Sequence, residues 1–212
     1  MRIGEIVETT STGFVAESFE LNSPPPLGSV VAVHVPMGQA PEAVIYAVVT
    51  YGQTAGLDPS RRAIRRSTDT VFDEAVYDHN PELDHVLRTE FGAALVGFVA
   101  DGRMRQHLPS QPPPLHFSVQ SIAPEDLRRF TDHLNYLRLL LTVSGPVLPP
   151  QVLAANVREV YRLRGQDRAW LDAAARETAA LLKDDHQALL TVLHAIDPGP
   201  PSTSPGELEV QR

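Results

Sequence analysis

The sequence predicts an α+β protein: a small antiparallel β-barrel over residues 1–122, then a helical module of about four helices over residues 123–196. Three observations lead there. The first part is filled by short runs rich in β-branched and aromatic residues, punctuated by glycine and proline. No helical pattern alternates with those runs in a βαβ rhythm, which favours an antiparallel sheet curling into a barrel. Beyond residue 122 the spacing of apolar residues lengthens from two to 3.6.

Each element has its own signal. Arg2–Thr9 and Gly13–Leu21 flank the turn residues Ser11-Thr12-Gly13 and read as a hairpin, with Phe14, Ala16 and Phe19 on the second arm. Pro24-Pro25-Pro26 breaks the chain because proline cannot donate to a ladder. Valine-rich strands follow at Ser29–Val35 and Glu42–Tyr51. An insertion over about 52–89 interrupts the strands. In it, Asp58 before Pro59 reads as a helix start, and the helix it opens carries Arg61, Arg62, Arg65 and Arg66. Asn80-Pro81 repeats that signature before a second short helix at Glu82–Arg88. The strand pattern returns at Phe91–Ala100, closes at Asp101-Gly102, and ends with Leu115–Ile122 after the proline loop Gln111–Pro114.

Pro124-Glu125-Asp126 opens the helical part, with proline in the first turn and acids at the positive end of the dipole. Leu127, Phe130, Leu134, Leu137 and Leu141 then mark one face of a helix that runs until Gly145-Pro146. A second helix spans about Pro150 to Leu163 and stops at Gly165. A third starts near Asp167, with Leu171, Ala174, Thr178 and Leu181 on one side. A fourth follows Asp184-Asp185 and carries Leu189, Val192, Leu193 and Ile196. Short loops between them favour antiparallel packing. The tail over 197–212, rich in Pro, Ser and Gly, reads as disordered.

Composition narrows the chemistry. The 212 residues are 42% hydrophobic and 21% charged, enough for a packed core without staples. There is no cysteine, which removes disulfides, thiol nucleophiles and cysteine-ligated metal centres. Lys183 is the only lysine and no glycine loop precedes it, so a phosphate-cradling loop of the Walker type is excluded. Neither a G-x-G-x-x-G opening nor a G-x-S-x-G elbow occurs. The N-terminus lacks a signal-peptide core and no apolar run approaches the roughly 20 residues that span a bilayer. The expectation is a soluble cytoplasmic protein that is not an enzyme, with no cofactor and no membrane partner. A net charge of −8 opposes a general grip on phosphates, so contact with nucleic acid is expected only locally or indirectly.

Three polar groupings remain. His79 and His85, with Asp78, Glu82 and Asp84 around them, offer either a metal site or a solvated acidic loop, and the second reading is preferred. His34 and His116 lie in strand patterns and read as satisfied barrel residues. Arg61, Arg62, Arg65 and Arg66 are the sharpest feature. Spacings of four would stack them on a helix surface, and guanidinium suits bidentate contact with phosphate or carboxylate. They read either as a dock for an acidic partner or nucleic acid, or as a solvated face paired with Asp58, Asp69 and Asp73. Arg158, Arg162, Arg164 and Arg168 surround Tyr161 and Trp170, an interleaving also seen in nucleic-acid binders, but nearby Glu159 and Asp167 favour ordinary surface pairing.

Ile3–Val7, Gly13–Ala16, Leu27–Val33 and Ile45–Val49 resemble the HAS-barrel, a module at the N-terminus of HerA-type hexameric translocases and of F-type ATP synthase subunits. Arg88–Phe98, Leu108–Leu115, Val157–Arg164 and Leu181–Asp185 are similar to stand-alone HAS-barrel proteins of cyanobacteria and the Deinococcus group, a likeness extending over about residues 1–196. In HerA the barrel precedes a RecA-like ATPase and supports ring assembly and contact with the nuclease NurA. The resemblance implies a barrel detached from its motor. The expected function is a non-catalytic adaptor that binds a HerA-type ATPase, a NurA-type nuclease, or both, in DNA end processing and repair. A self-assembling homo-oligomer is the alternative. A metal-dependent hydrolase using His79, Glu82 and His85 is a third.

Overall fold

A computed structural model of the chain describes residues 1–37, 40–58 and 62–197. It contains strands β1 (Arg2–Thr9), β2 (Gly13–Ser18), β3 (Val30–Met37), β4 (Ala40–Gly56), β5 (Leu87–Ala100), β6 (Arg103–Arg105) and β7 (Ser118–Ser121). Hydrogen bonding runs β2-β1-β7-β3-β4-β5, and a further pairing of β2 with β5 closes these six antiparallel strands into a barrel. β6 hangs on the end of β5 as a short hairpin. The small antiparallel barrel of the sequence reading is therefore present. Its hairpin β1–β2 pairs Thr9 with Phe14, across the turn that Ser11-Thr12-Gly13 signals.

Alternation along the strands builds two cores. Ile6, Phe14, Ala16, Val31, Val33, Ile45, Ala47, Val49, Phe91, Ala93, Leu95 and Val119 point inward and fill the barrel. Val30, Ala32, Tyr46, Val48 and Val96 point outward from the same sheet and meet the helices. β3 and β4 are thus buried on both faces, which is why they read as near-continuous valine-rich runs rather than clean alternation.

The helices on the barrel wall are α3 (Pro124–Thr131), α4 (Leu137–Leu140), α5 (Pro149–Leu163), α6 (Arg168–Leu181) and α7 (His186–Ile196); two short turns, α1 (Ala75–His79) and α2 (Leu83–Val86), lie in the insertion. Capping follows the sequence. Pro149 sits in the first turn of α5, Asp167 accepts from the Trp170 amide at 3.1 Å, and Asp185 accepts from the Ala188 amide at 2.9 Å. Gly165, at φ +74°, ends α5 in the left-handed conformation that glycine tolerates best.

The expected single helix from Pro124 to Leu141 is instead two, α3 and α4, separated by residues 132–136. Carbonyls that would continue it are taken by distant donors. Gln106 Nε2 donates to Phe130 O (2.6 Å) and His133 O (2.9 Å), and Trp170 Nε1 donates to Thr131 O (2.7 Å). The break lets Phe130 stack at 4.9 Å on Tyr46 and 5.0 Å on Tyr136, against the barrel.

Two buried polar side chains fasten the helices. Asn156 of α5, fully buried, donates to Gly28 O at 2.9 Å and accepts from the Tyr136 hydroxyl at 3.0 Å. Gly28, at φ +85°, lies so close to α5 that a Cβ there would stand 2.4 Å from Ala155 C and Asn156 N. Burial pushes the Tyr136 phenol well above its ordinary pKa, and pushes Tyr46 up to about 12, with Asp126 adding to the rise. Arg164, also buried, joins the end of α3 to the start of α6. It reaches Thr131 Oγ1 (2.9 Å), Asp132 (3.0 Å) and Asp167 (3.4 Å), and its guanidinium lies 5.6 Å from the Trp170 ring.

The tail expected to be disordered lies, from residue 198 onward, outside the described residues. Among those described, no helix is long and apolar enough to cross a membrane.

Candidate interaction surface

The two longest strands, β4 and β5, run on past the barrel. β3 pairs with β4 only as far as Val30↔Val48, and β2 pairs with β5 only as far as Glu17↔Glu90. Beyond those points β4 and β5 continue together, through Gln53↔Glu90, Thr54↔Thr89, Ala55↔Arg88 and Gly56↔Leu87. The ribbon is laced by a Thr54–Thr89 hydroxyl pair at 2.8 Å, by Gln53 Nε2 donating to Glu90 at 3.2 Å, and by the Asn22 amide donating to Thr89 Oγ1 at 2.7 Å. It carries the insertion, residues 57–86, as an arm.

This outward extension claims both ends of the segment that sequence spacing assigned to the insertion. Residues 52–56 and 87–89 are strand, not loop, and the expected helix Glu82–Arg88 shrinks to the single turn α2. The expected cap by Asn80 is not formed: its side-chain amide donates back to Val76 O at 2.8 Å, at the end of α1, and α2 starts after Glu82 with no side-chain cap.

The arginine cluster is arranged differently from its i,i+4 pattern. Arg61 lies outside the described residues. Arg62, Arg65 and Arg66 lie in irregular chain, not on a helix. Like charges four apart oppose helix formation, and no other local feature compensates here. Arg66 meets Glu82 at 3.2 Å in a surface pair. Among the described residues Arg62 and Arg65 make no ion pair or hydrogen bond, and of the expected counter-ions Asp58, Asp69 and Asp73 the last two do not pair with them, whereas Asp58 is engaged in an interaction of its own. Of the described arginines in the cluster, Arg66 is therefore paired, while Arg62 and Arg65 stand without a described counter-ion.

The arm also exposes what sequence reading did not single out. Ile64 is 78% exposed and Phe72 59%, with Leu57, Tyr77 and Val86 substantially open as well. Leu83 is the arm's one well-buried hydrophobic side chain among the described residues. A cleft of about 910 Å³ lies in the arm, lined by Leu57, Val76, Tyr77, Leu83 and Val86 and bordered by both signs of charge, Arg62 and Arg66 with Asp58, Asp73 and Glu74. These open apolar side chains gather on one element of the fold. The signal in the sequence was a lack of period: Leu57, Ile64, Phe72, Tyr77 and Val86 fit neither a strand nor a helix face, so no local element can bury them together.

The other polar groupings fall out as structural. His79 Nδ1 meets Ala75 O at 2.9 Å within its own turn, and among the described residues no three His, Asp or Glu side chains gather where a metal ion could sit. His116 is not a strand residue. It stands exposed before β7 at φ +66°, 2.8 Å from Glu5. Of the second arginine series, Arg164 is the buried clasp described above, Arg162 pairs with Glu159 at 2.6 Å, and Arg168 lies 5.8 Å from the Tyr161 ring. A hollow of about 710 Å³ beside the β1–β2 turn is lined by Thr10, Thr12, Thr50 and Tyr51, with Glu8 its only carboxylate. Burial, Glu90 and Glu8 raise the Tyr51 pKa, so at neutral pH its hydroxyl stays protonated. No protein-family model matches the chain, and no curated protein matches it significantly.

Proposed function

We propose that this protein is a non-catalytic adaptor that assembles with other proteins through the arm on β4 and β5. The observation that carries this reading is the exposure of Ile64 and Phe72 beside an apolar cleft edged by Arg62, Arg66, Asp58, Asp73 and Glu74, on an element whose residues belong to neither core. Exposed apolar and aromatic side chains with a charged, arginine-containing rim are the composition of a recognition patch. The filled barrel interior supports a surface role, since Phe14, Phe91 and Leu95 occupy the space a ligand would need.

For the partner, the resemblance to stand-alone HAS-barrel proteins favours a HerA-type hexameric ATPase or a NurA-type nuclease in DNA end processing. A small antiparallel barrel is what that likeness leads one to expect. Nucleic acid would then be reached through the partner, consistent with a net charge of −8. The test is co-purification of the tagged full chain from its native host with mass spectrometry, alongside an Ile64→Glu variant. Recovery of such an ATPase or nuclease by the wild type, and its loss with Ile64→Glu, is expected. Equal recovery by both would remove the arm from the reading, and recovery of neither protein would remove the partner.

A further inference from the structure

We propose that the hollow beside the β1–β2 turn is a binding site for a small organic cation, an amine or a guanidine, seated against the Tyr51 ring and the Glu8 carboxylate. None of its lining residues belongs to the arm at 57–86, so the site stands or falls apart from the docking surface.

At about 710 Å³ the hollow falls within the range of sites that take small ligands. It lies where the barrel meets the chain around and after α4, and Leu139 and Val143 join strand residues in lining it. A glycine gives it an aromatic wall. Tyr51 pairs with Gly92 across β4 and β5, and a Cβ at position 92 would run into the Tyr51 ring. Only a residue without a side chain lets that ring rest against the neighbouring strand. The ring is half-buried there and lines the hollow.

The polar groups select a ligand that donates. Among the described residues no arginine, lysine or histidine lines the hollow, and the exposed Glu8 makes no ion pair or hydrogen bond. Most of the hydroxyl hydrogens are already committed. Thr10, Thr50 and Thr142 donate to the carbonyls of Gly13 (3.0 Å), Gly92 (3.2 Å) and Leu139 (2.8 Å). Thr12, 3.5 Å from Thr10 Oγ1, is then the donor of that pair. What these oxygens still offer is lone pairs. Burial, Glu90 and Glu8 together raise the Tyr51 pKa, so the field of Glu8 reaches the ring's hydroxyl. Glu90 is held by Arg88 at 3.1 Å and by Gln53 at 3.2 Å, which leaves Glu8 as the carboxylate without a counter-ion. An aromatic ring near an unpaired carboxylate suits an organic cation: the ring quadrupole and the negative charge both attract it, and its N–H groups meet acceptors. An anion would meet repulsion from Glu8 and no cation to hold it. A neutral sugar could hydrogen-bond to the same oxygens but would gain nothing from the charge.

The experiment titrates the isotope-labelled full chain at low salt with agmatine, which carries a guanidinium and an ammonium, up to about 10 mM, and follows the amide NMR shifts. Glucose and inorganic phosphate are titrated in parallel. With agmatine, saturable shifts are expected at Gly13, Thr50, Gly92 and Gly145; with glucose they should be weaker, and with phosphate absent. Glu8→Gln and Tyr51→Leu should each weaken agmatine binding by about threefold or more, and Glu8→Gln should also flatten its salt dependence. An unchanged melting temperature certifies the fold, and the exposed position of Glu8 keeps the test decisive even where Tyr51→Leu fails to fold. No saturable shift at those residues overturns the site, as do shifts spread over the acidic surface and indifferent to Glu8→Gln. Glucose or phosphate binding as tightly as agmatine overturns the ligand class.

Discussion

Replacing Asn156 with leucine tests whether the helices are fastened to the barrel by one buried amide. The substitution keeps the side chain's approximate volume but removes a donor to Gly28 O and an acceptor for the Tyr136 hydroxyl, at 2.9 and 3.0 Å. Both groups then lie buried with no replacement partner, each at a cost of about 1–3 kcal/mol. Leucine's greater apolar character offsets about 1 kcal/mol of that. The net loss is about 1–5 kcal/mol, to be set against a typical domain's 5–15 kcal/mol. Urea unfolding followed by circular dichroism and Trp170 fluorescence measures it, with the midpoint falling and the slope unchanged. A second variant makes the reasoning specific. Tyr136→Phe alone should cost about 1–2 kcal/mol, because it leaves Asn156 Oδ1 without its donor. In the Asn156→Leu background the same change removes an orphaned hydroxyl and should be neutral or stabilising. The cycle should therefore show a coupling of about 1–3 kcal/mol. A loss below about 0.5 kcal/mol for Asn156→Leu, or strictly additive effects, would refute the fastening.

Three further outcomes follow from the same contacts. Gly28→Ala places a Cβ 2.4 Å from the α5 backbone at φ +85°, and should cost about 3 kcal/mol or more, read as lost soluble yield and a lowered Tm. Arg164→Lys keeps the charge but cannot reach Arg128 O, Thr131, Asp132 and Asp167 together, and should lower stability by about 2 kcal/mol in thermal melts, where a merely charge-based role predicts no change. The raised pKa of buried Tyr136 means that the folded state holds its phenolic proton more tightly than the unfolded chain does. Its contribution is therefore complete below about pH 10 and declines as pH rises further, by up to about 1.4 kcal/mol per pH unit. Unfolding midpoints measured from neutral pH to about pH 11 should fall in the wild type and fall less in Tyr136→Phe.

What local pattern can encode was legible, and what distant partners decide was not. The β1–β2 hairpin, the valine-rich β3 and the caps at Asp167 and Asp185 are set by residues within a few positions of one another, and they stand as the sequence indicates. The Pro124–Leu141 helix was misread because its apolar face continues across the break. The donors that end it, Gln106 and Trp170, come from elsewhere in the chain. β4 and β5 outran their predicted ends because residues 52–56 and 87–89 carry little apolar patterning and are ordered by each other. At the candidate site, the arginines were visible but their helix was not formed, and the apolar side chains that make the arm a surface were hidden by having no period.

The continuity of β4 and β5 from barrel to arm has a mechanical consequence. Their rungs run from Val44↔Val99 to Gly56↔Leu87 without passing through a hinge loop, and ladder bonds lie across the strand direction. A pull on the arm along that direction is shared by many rungs at once, loaded in shear, whereas a pull across it would open them one at a time. The ribbon is therefore stiffest along its own length, and a partner drawing on the arm along that axis would move the barrel and its helices with it.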